Sequence, residues 1–387
     1  MLPPLLVFSL LVQLAEAAST NAASESSAPD PTSSNYRSVW SILGTCAITL
    51  LICIWNAAYP NITHEKSWYK IALYRGALGL SALVTPEITT VRAFTEWRYA
   101  GEIEKDFRRQ RWTRAHGFFT LMGGFILQDG KEQELLSTRR DLERLMDGEI
   151  VNPKITKKEI RDRSKSDGLG NALLVLQLSW FILQVIARAV NDLAITLVEI
   201  DTLALAVLSL PLFFFWWNKP MAVECPHIFY KKTSSSTDGD TSQDIDHAFS
   251  VHRDLGDWVA EIITDVNHAD QKTLLALLIV WILFGGLHLI AWDFQFPSQV
   301  EKMMWRAASL TLIGAPCIYI LGMVLDKLGK LDALDVPDTI MNILLFGPIL
   351  LGVVARVILL VLMLVSLRKL PPSAHEMVSW TVYVPHL

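Results

Sequence analysis

Ionisable side chains lie inside stretches of the chain that are otherwise apolar, where a charge is costly and suggests a function. They are Arg75, Glu199, Asp201, His288 and Arg356. We take the last four as candidates for acid–base catalysis or ligand binding in a polar cavity. The alternative is a structural ion pair of Arg356 with Glu199 or Asp201 that fixes helix packing. Residues two positions apart on a helix point about 200° away from each other. Glu199 and Asp201 therefore cannot act from one face.

Patterns that bind metals or cofactors are incomplete. An Asn-Asp-Leu motif at 191–193, followed by Glu199, resembles the second magnesium motif of class I terpene synthases, whose ligands recur one helical turn apart. Ile195 stands where that motif needs Ser or Thr, and the sequence has no aspartate-rich partner motif. His247 and His252 are spaced poorly for a shared zinc site on a helix. The sequence also has no P-loop, G-x-S-x-G or H-E-x-x-H. We therefore predict no metal and no cofactor.

The composition indicates a membrane protein. Of 387 residues, 51% are hydrophobic and 19% are charged, and mean hydropathy is +0.33. Soluble globular domains carry about 25% charged residues. The net charge of -5 argues against a nucleic-acid partner.

Six apolar runs are long enough to cross a bilayer, since a spanning helix needs about 20 such residues. The runs are Ser41–Trp55 with flanking residues, Ala172–Val190, Ala194–Trp217, Leu274–Trp292, Ala307–Leu325 and Ile343–Leu367. Trp residues mark many of their ends, as is typical of the headgroup level. Ile71–Val91 contains charges and a proline, and Gly117–Leu127 is too short to span. The predicted fold is all-α: a polytopic transmembrane helix bundle of about six spans, possibly seven, with cytosolic amphipathic helices.

Charge distribution predicts the orientation. Residues 1–17 read as a cleavable signal peptide, so the polar stub that follows is extracytoplasmic. Between Arg92 and Lys165 lie 17 of the 34 Lys and Arg residues, which places this segment in the cytosol. Ile71–Val91 then does not fully cross. Six spans leave the C-terminal tail outside the cytosol. Seven spans would place Arg368 and Lys369 in the cytosol, but would put the seventeen Lys and Arg residues between Arg92 and Lys165 outside it.

These inferences divide the chain into eight segments and place it in the secretory pathway or the plasma membrane. The segments are a signal peptide (1–17), a disordered extracytoplasmic stub (18–38), the first span (39–58), a basic cytosolic segment with interfacial or re-entrant helices (59–170), two spans (171–217), a polar loop with a disordered stretch and an amphipathic helix (218–272), three spans (273–367) and a C-terminal tail (368–387).

The basic cytosolic segment has features of both helix capping and lipid contact. Thr156 and Glu159 have the spacing of a capping box. Four arginines interleave with Phe107 and Trp112, and they are Arg108, Arg109, Arg111 and Arg114. Such a cluster fits anionic lipid headgroups. The alternative is the ordinary positively charged flank of a membrane protein.

Several strings along the chain resemble a family. They include Trp55-Asn56, Thr85-Pro86-Glu87-Ile88, His116-Gly117-Phe118-Phe119, Asp162-Arg163-Ser164-Lys165, Trp216-Trp217-Asn218-Lys219-Pro220 and Leu370-Pro371-Pro372. From Trp40 onward the chain is similar to a large uncharacterised family of multi-pass membrane proteins common in filamentous fungi. The resemblance implies an architecture and a fungal source, but no catalytic residues.

Three functions remain open. The first is a membrane scaffold or adaptor whose cytosolic segment recruits protein partners or lipids, with the buried charges needed only for folding. The second is a membrane-embedded enzyme of the cyclase or isomerase type, acting on an apolar metabolite in fungal lipid or secondary metabolism. The third is a transporter whose path is lined by the buried polar residues. We favour the scaffold.

Overall fold

The computed structural model describes most of the chain between Tyr36 and Val378. The described residues are 36–57, 61–62, 67–129, 132–136, 139–143, 155–164, 168–223, 225–231, 271–327 and 338–378. The predicted signal peptide, most of the predicted stub, and the disordered stretch and amphipathic helix predicted in the polar loop lie outside these ranges.

Helices dominate the described residues, with one small sheet. The α-helices are α1 Val39–Ala57, α2 Trp68–Val84, α3 Pro86–Asp106, α4 Arg114–Leu121, α5 Arg139–Glu143, α6 Lys157–Asp162, α7 Gly168–Val190, α8 Leu197–Phe215, α9 Gln271–His288, α10 Gln299–Lys327 and α11 Asp338–Ser366. The strands are β1 Phe125–Asp129, β2 Glu132–Leu135 and β3 His227–Tyr230.

Within the described residues, five helical stretches are long and apolar enough to cross a membrane. They are Gly170–Val190, Leu197–Phe215, Gln271–Asp293, Gln299–Leu325 and Gly347–Ser366, with Val39–Trp55 as a shorter apolar helix. The predicted helical, apolar architecture is therefore confirmed. Leu197–Phe215 lies at the centre of the bundle. Of the residues in its most apolar stretch, 78% are buried, compared with 28% for Gly170–Val190.

The apolar helices run between two ends of the bundle. At one end, called the tail end, Tyr36 forms a β-bridge with Glu376. Arg188, near the end of α7, donates from Nη1 to the carbonyl of Glu376 at 2.7 Å. Arg368, just after α11, contacts Glu301 near the start of α10 at 3.0 Å. The residues before α1 and those after α11 therefore meet at the same end of the bundle.

The opposite end, called the sheet end, carries the small sheet. The strand order is β2-β1-β3. β1 and β2 are antiparallel, with Ile126 opposite Leu135, whereas β1 and β3 are parallel, with Phe125 opposite His227. The prediction of an all-α fold was therefore wrong at this end. The run Gly117–Leu127, predicted to be one interfacial or re-entrant segment, divides into the end of α4 and the start of β1.

A glycine pair explains that division. Gly123 has φ +78°, a left-handed conformation that glycine adopts without strain, and its N–H donates to the Thr120 carbonyl at 2.8 Å. A Cβ on Gly124 would lie 2.4 Å from the Phe119 ring. The chain can therefore turn sharply out of α4 and enter β1 only because both positions are glycine.

A hydrophobic core of its own lies beneath the sheet. Its buried members come from α3, α4, the sheet, α6 and the loop before β3, and they include Phe107, Trp112, Phe119, Phe125, Leu127, Leu136, Ile160, Val223 and Phe229. We call this core, the sheet and helices α4 to α6 the sheet unit. It joins residues from the predicted cytosolic segments 59–170 and 218–272, which are separated by α7 and α8.

Helices α2 and α3 form a hairpin that enters the bundle from the sheet end. The residue before a proline is disfavoured in the helical conformation, and proline is favoured at the first position of a helix. Thr85 accordingly has φ -134°, and Pro86 begins α3. The Leu83 carbonyl at the tip accepts a bond from Arg356 Nε at 3.2 Å. Since Arg356 lies near the middle of the apolar part of α11, the hairpin tip reaches deep into the bundle.

Candidate functional site

Three of the four catalytic candidates meet in the interior of the bundle. Asp201 on α8 accepts hydrogen bonds from both Nη atoms of Arg356 on α11, and the Nη2–Oδ2 distance is 3.1 Å. Nε2 of His288 on α9 lies 3.1 Å from Asp201 Oδ1. All three residues are 0% exposed. The structural alternative predicted from sequence, an ion pair of Arg356 with an acidic residue on α8, is thus present with Asp201.

Local features of α8 and α9 hold these side chains in place. The Thr196 hydroxyl accepts a bond from the Glu199 N–H, and the Glu199 carboxylate accepts one from the Thr196 N–H, forming a capping box that fixes the start of α8. On α9, a Cβ on Gly285 would lie 2.5 Å from Ile313 Cγ1. Glycine therefore allows α9 and α10 to approach closely one turn before His288.

Aromatic rings and carbonyls complete the surroundings of His288. Its Nδ1 lies 2.8 Å from the carbonyl oxygen of Phe284, and its own carbonyl accepts a bond from Trp305 Nε1 at 3.1 Å. The Arg356 guanidinium lies 5.0 Å from the centre of the Phe284 ring, which is close enough for a cation–π contact. The cluster is thus enclosed by α9, α10 and α11 as well as α8.

Glu87 is a fourth ionisable residue here, and the sequence analysis did not include it among the candidates. It is the second residue of α3, at the tip of the hairpin, and is buried. Its side chain hydrogen-bonds to Trp281 of α9 and lies within electrostatic range of Arg356. The signal that could have identified it is a carboxylate directly after the proline that interrupts an apolar run.

Glu199 lies apart from this cluster, as its angular separation from Asp201 predicted. Its carboxylate accepts two bonds from Arg37, at 2.6 and 3.1 Å. Arg188, also buried, donates to main-chain carbonyls, including that of Ala194 at 2.7 Å. These contacts join the start of the described chain, the turn between α7 and α8, and the C-terminal tail. Arg75 lies on α2, about two turns before the hairpin tip.

The motif that resembles a magnesium site does not form one face of a helix. Asp192 has φ +55° in the turn after α7, whereas Glu199 lies in the first turn of α8 and binds Arg37. In the part of the chain that the structure describes, no group of three His, Cys, Asp or Glu side chains could hold a metal ion.

A polar cluster joins the hairpin to the sheet end of α8. Glu96 on α3 accepts bonds from Trp216 Nε1 at 2.8 Å, from Lys219 Nζ at 2.6 Å and from Arg92 Nε at 3.0 Å. Lys219 also lies 4.2 Å from the Trp216 ring centre. This cluster fixes α3 against α8 at the level where the sheet unit begins.

The predicted arginine cluster divides into two environments. Arg108, Arg109 and Arg111 are exposed in the turn after α3, whereas Arg114 lies 4.4 Å from the Trp97 ring centre. Phe107 and Trp112 stack on each other at 4.8 Å inside the core of the sheet unit. Three arginines are therefore available to a partner, but the interleaved aromatic residues are not.

His116 is a buried, neutral residue of the sheet unit. Its Nδ1 accepts a bond from the Thr113 N–H at 3.0 Å, so Nε2 carries the proton and donates to the Ile155 carbonyl at 3.0 Å. Burial lowers the pKa of His116, and the charge of Lys157 adds to this effect. The capping box predicted at Thr156 and Glu159 is confirmed beside it.

Comparison with known proteins identifies a family without assigning an activity. A family model described as a family of unknown function, DUF8562, matches residues 5–238 and 261–387. No curated protein and no solved structure matches the chain. Because the two matched ranges include nearly all of the sequence, the chain belongs to the family of unknown function DUF8562.

Proposed function

We propose that this protein is a multi-pass membrane scaffold or adaptor of the secretory pathway or plasma membrane, with its sheet unit in the cytosol. The five long apolar helices support insertion in a bilayer. The excess of Lys and Arg between Arg92 and Lys165 supports a cytosolic position for the sheet end. The tail and the residues before α1 then lie on the opposite side.

The observation that carries the proposal is the parallel pairing of β1 with β3. Four residue pairs, from Phe125↔His227 to Gln128↔Tyr230, join two polar segments that enclose α7 and α8 in sequence. Because these segments share one buried core, they form a folded surface rather than two separate loops. A folded unit held rigidly at one end of a bundle is what an adaptor needs in order to present a defined surface.

The buried cluster supports a structural role. Asp201, His288 and Arg356 bind one another and are 0% exposed. A catalytic site must bring reacting atoms within hydrogen-bond reach of such groups, and the described helices close around them. A mutually paired cluster that connects α8, α9 and α11 instead fixes helix packing in a medium where unpaired polar groups are costly.

The exposed turn Arg108–Gln110 and Arg111 form the contact surface that we assign to anionic lipid headgroups. Arg108, Arg109 and Arg111 carry three positive charges, and each such charge near an anionic membrane is worth about 1 kcal/mol. Neutralising the three together should therefore weaken binding of the purified protein to anionic vesicles, with neutral vesicles as the reference. Unchanged binding would remove lipid contact from the proposal.

The adaptor proposal is tested with two adjacent residues on one strand. Phe229 is fully buried in the core of the sheet unit, whereas Tyr230 is 54% exposed on the other face. Phe229→Asp should disrupt the unit, whereas Tyr230→Asp introduces the same charge with the fold intact. Each full-length variant replaces the native protein, and its neighbours in intact membranes are identified by proximity labelling.

The expected result is that Phe229→Asp loses a reproducible set of neighbours while the protein remains inserted at normal level, and that Tyr230→Asp keeps this set. Metabolites of cells and medium are profiled in parallel. The profiles are compared with those of a strain that lacks the protein. An accumulated precursor with a missing product in that strain would contradict the proposal and establish the enzyme hypothesis. An unchanged compound that shifts between cells and medium would establish the transporter.

A further inference from the structure

Four titratable side chains from four elements lie in the interior of the bundle. Asp201, His288 and Arg356 contact one another, and Glu87 lies within electrostatic range of Arg356. Glu87 comes from α3, Asp201 from α8, His288 from α9 and Arg356 from α11. Each is at least nine-tenths buried. The ion pair described above explains the charges of Asp201 and Arg356. It does not explain the protonation states of Glu87 and His288.

The charges of this cluster do not cancel without one further proton. Arginine remains charged in proteins, so Arg356 contributes +1, and the ionised carboxylates of Asp201 and Glu87 contribute -1 each. With a neutral His288 the sum is -1. A net charge inside an apolar bundle is strongly disfavoured. The cluster becomes neutral when either His288 or Glu87 binds one proton.

Hydrogen-bond geometry provides a place for that proton on His288. Its Nδ1 faces the carbonyl of Phe284 at 2.8 Å, and its Nε2 faces Asp201 Oδ1 at 3.1 Å. Both neighbours can only accept when Asp201 is ionised, so an imidazolium ring satisfies both. In the neutral ring, Nδ1–H still donates to Phe284, and the Nε2 lone pair faces Arg356 Nη1 at 3.4 Å.

Glu87 provides the second place. Its Oε2 atom is buried and has no hydrogen-bond partner among the described residues. The hydrogen bonds of Arg356 go to Asp201 and to the Leu83 carbonyl, and none of them reaches Glu87 Oε2. A neutral carboxylic acid at Glu87 therefore relieves the cost of a buried, incompletely paired anion.

We propose that Glu87 and His288 form an intramembrane binding site for one exchangeable proton, located at the tip of the α2–α3 hairpin. The proton is held either on His288 with Glu87 ionised or on Glu87 with His288 neutral. Both states make the four-residue cluster neutral. Loss of the proton leaves a net charge of -1, and a second proton produces +1.

Among the described residues, three other titratable groups lie in the surroundings of the cluster, and none of them supplies the missing charge. Cys46 on α1 lies within electrostatic range of Asp201. Tyr319 on α10 faces the Trp281 ring at 6.4 Å between ring centres. Arg37 donates to both oxygens of Glu199 and is thereby matched by an anion.

The position of the site gives the proton a structural effect. Glu87 lies two residues after Thr85, and the hairpin tip is attached to the cluster through the bond from Arg356 to Leu83. The packing of the hairpin is most favourable with one bound proton, because the cluster is then neutral. Helix α3 leads directly from this tip to the sheet unit. The inference does not depend on the scaffold role.

The test measures the thermal unfolding midpoint against pH for the full-length protein in lipid nanodiscs. Wild type should lose stability on both sides of an optimum. Glu87→Gln removes the acid, so the alkaline loss should disappear while the acid loss remains. His288→Gln removes the base, so the acid loss at this site should disappear while the alkaline loss remains. In the double variant neither site-specific loss should occur.

The matched control is Glu102→Gln, which removes an exposed carboxylate from the same helix. It should follow the wild-type curve, and it also subtracts acid effects common to all variants, such as that of His116. A double variant that retains both wild-type losses would overturn the proposal. So would a wild-type alkaline loss that depends on replacing sodium by potassium, since the site would then bind a metal cation.

A measurement on wild type keeps the proposal falsifiable if a variant does not fold. Infrared difference spectra between alkaline and neutral pH, together with ¹⁵N-histidine spectra, report a buried carboxylic acid or a doubly protonated imidazole. Appearance of either signal on lowering the pH through the alkaline loss is expected. Absence of both across that pH interval would refute a shared proton.

Discussion

Replacement of Arg356 by leucine should destabilise the bundle far more than the same change at an arginine whose acidic partner is exposed. Arg356→Leu removes two charge-assisted bonds to Asp201 and one bond to the Leu83 carbonyl, and leaves a buried carboxylate with His288 as its remaining partner. Breaking a buried ion pair in this way costs about 3–5 kcal/mol.

Arg306 provides the matched control. It lies on α10 and pairs with Asp293 at 2.8 Å, but that aspartate side chain is 82% exposed. Exposed ion pairs contribute about 0–1 kcal/mol, so Arg306→Leu should cost about 1 kcal/mol or less. The expected difference between the two variants is at least about 2 kcal/mol, or roughly 30-fold in the unfolding equilibrium.

The assay is equilibrium unfolding of the purified full-length protein in mixed micelles. Adding Asp201→Leu to Arg356→Leu should restore much of the lost stability, because a buried ion pair is often replaced by apolar residues with little net cost. The reasoning would be refuted by equal effects of Arg356→Leu and Arg306→Leu. A double variant that is less stable than either single variant would also refute it.

Three further predictions concern the sheet unit. A disulfide should form between Gln128→Cys and Tyr230→Cys in oxidised membranes, since these residues are opposite each other in β1 and β3, and paired strands lie about 4.8 Å apart, within disulfide reach. Gly117→Ala should destabilise the unit by about 1–3 kcal/mol, measured by limited proteolysis, because its Cβ would lie 2.5 Å from the Ala100 carbonyl oxygen. The pKa of His116 is lowered by burial, so hydrogen-exchange protection of the unit should be complete above about pH 6.5 and fall as the pH drops through the folded-state pKa.

Each of these predictions has a control in the same chain. Gln128→Cys with Ile228→Cys is two residues out of register and should not cross-link, and Cys225→Ser is included in both pairs because Cys225 is an exposed thiol. A Cβ on Gly286 would have no atom within 4 Å, so Gly286→Ala should not lower the stability. Protection that rises on acidification would contradict the neutral form of His116. Equal cross-linking of the two pairs would contradict the parallel register.

Much of the helical architecture could be predicted because it depends on continuous patterns. Apolar runs of about 20 residues are read directly, and the interruption of Ile71–Val91 follows from its proline. The sheet could not be predicted in this way. Its strands are four or five residues long, and β1 pairs with a strand about 100 residues away, so only tertiary contact reveals it.

The candidate site could be predicted in part. Asp201, His288 and Arg356 stood out because each charge interrupts an apolar run. The sequence could not decide whether Arg356 pairs with Glu199 or Asp201, since both lie on the first turns of α8 and their choice depends on rotation of the helix. Glu87 was missed because its run already appeared broken, and its burial depends on a hairpin that local sequence does not specify.

The most direct test of the account compares two variants for rescue of a deletion strain. Phe229→Asp disrupts the sheet unit but leaves the bundle, whereas Asp201→Leu with Arg356→Leu removes the buried pair but leaves the sheet unit. The readout is the set of neighbours found by proximity labelling, at matched protein level. The account predicts that the double variant restores the wild-type set and Phe229→Asp does not. Restoration by Phe229→Asp, with failure of the double variant, would contradict it.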